Sequence, residues 1–535
     1  MTTAQDFNAG LATTPPDARS LTVSQTAWWV GLISILLLAL ALRVIHIHNP
    51  VMDHPAWRQG DTAAIARNFA QLNFNIFYPQ TDYDGPPPNY VQLELQIVPY
   101  LAAIGYKLFG IHVLFGRAIS IAFSLGTVLL VALFGRWLFD SALAGLAAAL
   151  LFAIFPGSVY YGRTFMPDTA MTFFLTAALF ASLRTLLSPS SRAIPWREIG
   201  AGVLMTLAFL AKPVSLLAIV PVYAAEMNGR KTAVPWRATL IVAPALLLLW
   251  LYLTYVGAHA EWHWASAITQ KHVVPSLLTA MRSPHALAAK LAIAVTTVPW
   301  MLATTMLGPV GFGLALVALL VPLGARSAAF LYGWAAAVAV YAFVVVTVER
   351  VDYYLYPALP LAALVGGALI ARLAAAWTDA SQAAKTAVAA GTVLALVLTV
   401  GTNETLIRPY YQYRHAVYAT ATHLAQTLQP GTLVVMAHYD PSILYYMQHK
   451  GWEEDPALWT PFDEQSAIKK GARYFVSVED NRFRHNAELY AWMQRFPLVP
   501  NAGLWPVYET DYARVLPGAE QRWQQFRREE RLRQR

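Results

Sequence analysis

The chain has 535 residues, of which 57% are apolar and 13% charged, with a formal net charge of +8 and no cysteine. A soluble protein carries about 25% charged residues, so this composition excludes a soluble globular chain and requires many membrane-embedded segments. The missing cysteines also exclude disulfides, thiolate metal sites and a cysteine nucleophile.

Residues 1 to 25 are polar and lack the basic start of a cleaved signal peptide, so they read as a cytoplasmic tail and the 27 to 45 run as a retained first span. Further apolar runs fall at 116–138, 141–162, 166–187, 198–212, 213–226, 238–257, 307–324, 327–347, 353–373 and 385–403. They predict a polytopic α-helical membrane protein with about eleven crossings, each near the ~20 residues that a bilayer requires. Two of the runs are short and meet at Lys212-Pro213.

Two further runs are decided by charge. LQIVPYLAAIGYKLFG (95–110) is short, holds Pro99 and is fenced by Glu94 and Lys107. As an interfacial helix it leaves Arg136, the Arg184, Arg192 and Arg197 cluster, Arg230, Lys231, Arg237, Arg326 and Arg372 on one side, the cytoplasmic one by the positive-inside rule. The same parity makes 287–306 an interfacial or re-entrant piece. On the other face then lie the 46–115 loop with its interfacial helices, the Arg163 to Asp168 corner, the Lys212-Pro213 corner, the His259 to His272 loop and the Glu349 to Tyr354 corner. Acidic and aromatic residues thus collect on one side, and most densely in the first loop, which holds Asp53, Asp61, Asp82, Asp84, Glu94, Arg58 and His54. In a chain this apolar, that loop is where chemistry is expected.

Residues 26 to 405 form the membrane domain. Beyond them the composition is that of a soluble protein, and TLVVMA, RYFVSV and WPVYET read as strands, with helices near 441–449 and 485–495. Residues 406 to 535 are expected to be a small extracytoplasmic α/β domain ending in a basic amphipathic helix. No nucleic-acid signature, glycine-rich phosphate loop or serine nucleophile motif stands out.

The WRQGDTAAIARNF loop, YLAAIGYKLFG, the GRAISIAFSLGTVLLVALFGRWLF span, the YYGRTFMPDTAMTFF corner, LAFLAKPVSLLAIVP and YYLYPALPLAALVG occur in this order. Together they resemble the bacterial GT-C-type membrane glycosyltransferases related to protein O-mannosyltransferases and to the lipid A aminoarabinose transferase. The resemblance covers roughly residues 25 to 405. It implies an inverting hexosyl- or pentosyltransferase of the bacterial inner membrane. Such an enzyme moves a sugar from a polyprenyl phosphate, such as undecaprenyl phosphate, to a lipid, glycan or protein acceptor on the periplasmic side. It implies no nucleotide sugar and no obligatory divalent metal. The family's essential acid falls on Asp61 and its second acidic position on Asp168. Members usually show an acidic pair where this chain has Asp61-Thr62.

The residue types agree with that chemistry. Transfer from a phosphate-linked sugar needs a base for the acceptor hydroxyl and cations for the departing phosphate. Asp61 is the candidate base, although an Asp ahead of TAAIARNFAQL also suits an N-cap, and Asp168 has the same competing reading. Arg163, Lys212 and Arg350 sit at span ends where a lipid phosphate would lie, joined by Arg58 and Tyr353. Lys212, held extended by the following proline, is the best placed. His54, Tyr83, Glu94, His263 and Trp264 form the candidate acceptor and sugar-binding set. His259 and His263 share a four-residue spacing that suits a metal, but no third ligand accompanies it. A transporter or flippase for a lipid-linked or anionic substrate is the alternative from another class, yet its key charges belong near the midplane of spans. An oligosaccharide ligase or polymerase is a closer rival.

Overall fold

The computed structural model describes residues 23–189, 195–228, 234–376 and 381–533. Most of the N-terminal tail, Arg192, Arg230 and Lys231 lie outside the described residues. The chain begins with α1 (Gln25–Val44), α2 (Ala56–Gln71), α3 (Ile97–Phe109) and α4 (Leu114–Leu138). Seven helices among the described residues are long and apolar enough to cross a membrane: α1, α4, Asp168–Leu186, Trp236–His259, Pro284–Met306, Ala328–Glu349 and Asp352–Ala376. Ala142–Ile154, Pro213–Asn228 and Gly308–Leu320 are equally apolar but shorter. At 1.5 Å per residue, the 13 residues of α3 reach only about 20 Å, short of a hydrocarbon core of ~30 Å.

Pro284–Met306, expected as an interfacial or re-entrant piece, forms a helical segment of 23 residues that is long and apolar enough to cross a membrane. Its two ends nevertheless meet corners that carry the polar loops. Lys290 stands over the Phe343 ring at 5.4 Å, and Met306 packs against Gly157. The cationic ends gather elsewhere: Arg326 donates to the Trp137 carbonyl at 2.7 Å and to Asp140 at 3.2 Å, and Arg184 lies 5.9 Å from the Trp137 ring centroid. Trp137 is at the far end of α4 from the first loop, so the Arg-rich corners and the polar loops occupy opposite ends of the bundle.

Buried charge ties the loop to the bundle. Asp53 is fully buried and accepts from Arg117 of α4 at 3.1 Å and from Arg163 at 2.5 Å. Gln59 of α2 donates to the same carboxylate at 2.7 Å and accepts from the Phe165 amide at 3.2 Å. Arg43 of α1, also fully buried, donates to Ser124 and Ser158 at 2.7 Å each. Each guanidinium is thus held by the elements it joins, as buried charge requires, although Nε of Arg117 and of Arg163 has no hydrogen-bond partner.

After the Gln382–Ile407 helix the chain folds into a four-stranded sheet: β1 (Leu433–Met436), β2 (Lys450–Glu453), β3 (Ala472–Val476) and β4 (Val507–Glu509), in the order β2-β1-β3-β4. β1 is parallel to both β2 and β3, and β4 is antiparallel to β3. Parallel pairing requires crossovers, which the Ser442–Met447 and Pro461–Lys469 helices supply. Three strands fall where the pattern places them. β2 was not expected, because KGWE has neither alternation nor an apolar run; its pairing with β1 makes it a strand.

The sheet unit is seated on the first loop. The Gly451 amide donates to the Asp82 carbonyl and the Gly85 amide to the Gly451 carbonyl, both at 2.8 Å. Arg67 of α2 donates to the Tyr445 carbonyl at 2.7 Å. A Cβ on Gly60 would stand 2.6 Å from the Ser442 amide nitrogen. Gly60→Ala is expected to cost about 1–3 kcal/mol through overpacking, read as a lower unfolding temperature and faster proteolysis of the C-terminal unit. An unchanged protein would show that this contact does not hold the two together.

Candidate active site

Where the first turns of α2 meet the membrane helices, a cavity of about 560 Å³ opens. One end is polar: Arg58 and Asp61 come from α2, Tyr83 and Glu94 from the loop after it, Lys212 from a helix break and Tyr353 from the corner following Arg350. The rest is apolar, walled by Leu216, Leu217, Val220, Val340 and Val344. Trp57 and Trp264 stand at its edge with ring centroids 6.4 Å apart.

Asp61 does not cap a helix. α2 already begins at Ala56, so Asp61 lies in its interior, 3% exposed, with Oδ1 free of any hydrogen-bond partner. Burial pushes its carboxyl up to about 7, against the opposing charge of Arg58 and the nearby Tyr83 hydroxyl. A carboxyl poised near neutrality in a cavity has the profile of an acid–base group. Arg58 is itself in an ion pair with Glu94. This uses Glu94 as a charge partner inside the cavity.

Lys212 ends the Trp196–Ala211 helix in an extended conformation, φ −168° and ψ 127°, as the proline after it demands. Its Nζ donates to Asp168 Oδ1 at 2.7 Å and lies 5.1 and 5.2 Å from the ring centroids of Tyr353 and Tyr354. Asp168 begins the Asp168–Leu186 helix; its Oδ2 is buried and unpartnered. It does not line the cavity and acts on it through Lys212.

Besides Asp168, five residues singled out by the sequence stand apart from the cavity. The Arg163 guanidinium is buried against Asp53 and the ring of Tyr411, so it anchors the loop and leaves no charge for a ligand. Arg350 adopts a left-handed turn, φ 53°, and is exposed. His54 contacts the Tyr161 hydroxyl at 3.1 Å and Asp352 at 3.8 Å. His263 bonds the Gly257 carbonyl at 3.1 Å and His259 the Tyr255 carbonyl at 2.8 Å, within their own segment. Apart from Arg350, which is exposed, a neighbour distant in sequence or the local backbone claims each of these side chains.

The C-terminal unit brings residues that the sequence pattern did not single out. Tyr439 stacks on Trp57, ring centroids 6.4 Å apart and planes within 10°. Glu453 of β2 is buried with Oε2 unpartnered. Burial, together with Asp61 and Asp440, holds its carboxyl well above the usual range, and burial raises Asp84 to about 6. Only the length of the polar loop, long enough to carry a docked domain, hinted at this.

Residues 96–255 match the family model described as dolichyl-phosphate-mannose-protein mannosyltransferase. No curated protein matches the chain. Among solved structures, ArnT from Cupriavidus metallidurans bound to undecaprenyl phosphate is similar with a TM-score of 0.57 at 14% identity, over 92% of this chain and 100% of that one. The archaeal oligosaccharyltransferase AglB from Archaeoglobus fulgidus, in complex with an inhibitory peptide and a dolichol-phosphate, gives 0.55 at 12% identity over 92% and 75%. The chain therefore shares the fold of these structures. The segment matched by the family model holds α4, the Arg163 to Asp168 corner and Lys212. It includes neither Asp61 nor the sheet unit.

Lys212→Ala leaves Asp168 buried without its partner, and about 3–5 kcal/mol of stability should be lost. Lys212→Ala combined with Asp168→Asn should recover most of it, as read by thermal unfolding in detergent. Equal losses in the single and double variants would dissolve the pair.

Proposed function

We propose that the protein transfers a sugar from a polyprenyl phosphate to an acceptor hydroxyl or phosphate, with inversion, at the periplasmic face of the inner membrane. The observation that carries this reading is the shape of the cavity's chemistry: apolar walls between membrane helices lead to Lys212 and Arg58, beside an unpaired carboxylate oxygen of Asp61. An isoprenoid chain suits the walls and its phosphate the cations. A hexosyl or pentosyl group on that phosphate then reaches Asp61.

In this reading the acceptor oxygen attacks the anomeric carbon from the side opposite the phosphate. The bond from that carbon to the phosphate oxygen breaks, and the electron pair leaves with the phosphate. Asp61 takes the acceptor proton as the new glycosidic bond forms. Lys212, aligned by Asp168, and Arg58 meet the growing negative charge on the leaving group, with Tyr353 beside them. These side chains supply the positive charge, so the reading requires no metal and no further cofactor. Trp57, Tyr83, Trp264 and Glu94 line the side from which a glycan, lipid or protein acceptor enters.

Incubation of the protein in detergent with a panel of polyprenyl phosphate sugars and candidate acceptors should release free polyprenyl phosphate, detected by mass spectrometry. Asp61→Asn should reduce release by a factor of 10² or more, as expected for removal of a general base, while retaining the donor. Full activity in that variant would remove Asp61 as base.

The ionised carboxylate is the active form, and its folded pKa is raised, so release should fall as pH drops through about 7. Arg58→Gln removes the charge that opposes this rise and should move the acid limb to higher pH. A limb that stays in place in Arg58→Gln would assign it to another group.

A further inference from the structure

A second cavity, of about 800 Å³, runs along the last turns of α2 at the seam with the C-terminal unit. It shares no lining residue with the cavity around Asp61. Arg67 and Gln71 of α2, His112, Gln426, Gln448 and Lys450 face it, and no carboxylate lines it. The carboxylate that pairs with Arg67, Asp82, is fully buried behind it. Lys450 Nζ stands 3.7 Å from Asp82 with no hydrogen-bond partner. His112 uses Nδ1 on the Leu114 amide at 3.2 Å and is otherwise exposed. The lining is thus cationic groups, amides and tyrosine hydroxyls, the complement of an anion attached to a hydroxylated ring.

Neighbouring residues of the first loop and of β2 separate the two cavities. Asp82 turns towards Arg67 and Lys450, whereas the adjacent Tyr83 turns towards Asp61. On β2, Lys450 lies on the seam side and Glu453 on the Asp61 side. Two backbone hydrogen bonds join this loop segment to Gly451 of β2, so the two stand side by side between the cavities. His112, which lines the seam cavity, lies in the chain between the end of α3, where Leu108 is 69% and Phe109 75% exposed, and the start of α4. Such an apolar tip next to a span marks the lipid surface.

We propose that this seam cavity is a second binding site, for a phosphate-bearing sugar or polyol group at the membrane surface, distinct from the cavity that holds Asp61. It is independent of the transfer reading. The ligand is either the headgroup of a lipid or a free sugar phosphate, and two probes distinguish them. Full-length protein in phosphatidylcholine nanodiscs is titrated calorimetrically with glucose 1-phosphate. In parallel, nanodiscs containing phosphatidylinositol are analysed by native mass spectrometry for retained lipid.

The expected result is binding of at least one probe that His112→Gln/Lys450→Gln weakens tenfold or more, and that Lys212→Ala/Asp168→Asn leaves intact. Retention of phosphatidylinositol alone identifies a lipid headgroup, and binding of glucose 1-phosphate shows that the phosphorylated ring suffices. No binding of either probe, binding unchanged in the seam variant, or loss only with the Lys212 change would each overturn the proposal. Should Lys450→Gln unfold the protein, the exposed positions decide, since His112→Gln and Gln426→Ala must each still weaken binding. No turnover enters the measurement, so its failure leaves the transferase reading standing.

Discussion

One buried carboxylate holds the site together. Asp53 is shut away from solvent between two guanidiniums that belong to different parts of the bundle, Arg117 of α4 and the Arg163 corner. Either arginine alone would be an uncompensated charge in a low-dielectric interior. Gln59 binds the same carboxylate from α2, two residues before Asp61. The orientation of the candidate base is therefore set by an ion cluster that never meets a ligand, and a shift of the first loop would expose or unpair three charges at once.

The helix breaks of the bundle follow a similar logic. A lysine in the middle of a membrane helix would have to snorkel or lose its charge. At the Lys212-Pro213 break the extended backbone turns the side chain inwards, where Asp168 and two tyrosine rings receive it. The cation is placed by a backbone constraint and oriented by a carboxylate outside the cavity. This leaves the remaining donor directions of the ammonium for the cavity. The apolar walls beyond it come from the same helices, so the binding surface for a lipid chain and that for its charged end are built from adjacent turns.

The C-terminal unit adds more than cover. Its strand β2 is joined by backbone hydrogen bonds at Gly451 to Asp82 and Gly85 of the first loop, and together they stand between two separate cavities. Carboxyl groups stand only on the Asp61 side, beside Arg58 and Lys212, whereas the seam side is lined by Arg67 and Lys450 with no carboxylate. Closing both requires Gly60 to approach Ser442 more nearly than any side chain permits.

The membrane class, the short α3, the extended Lys212 and three of the four strands are local matters, and the sequence alone determines them. Apolar run length, a proline after a lysine and period-two alternation act on neighbours along the chain. The sequence also singles out Asp61, a carboxylate in a polar loop between apolar runs, and the structure places that side chain in the cavity. Tertiary structure alone decided which cations remain available. Arg163 and Arg350 look alike in sequence, yet one is consumed by Asp53 and the other faces outwards. It also decided that Asp61 sits inside a helix, that β2 exists, and that Lys450 and Glu453 face different chambers. The physical reason is common to all of these: a charge or a strand without a pattern of its own is assigned by its partner, and the partners lie far away in the chain.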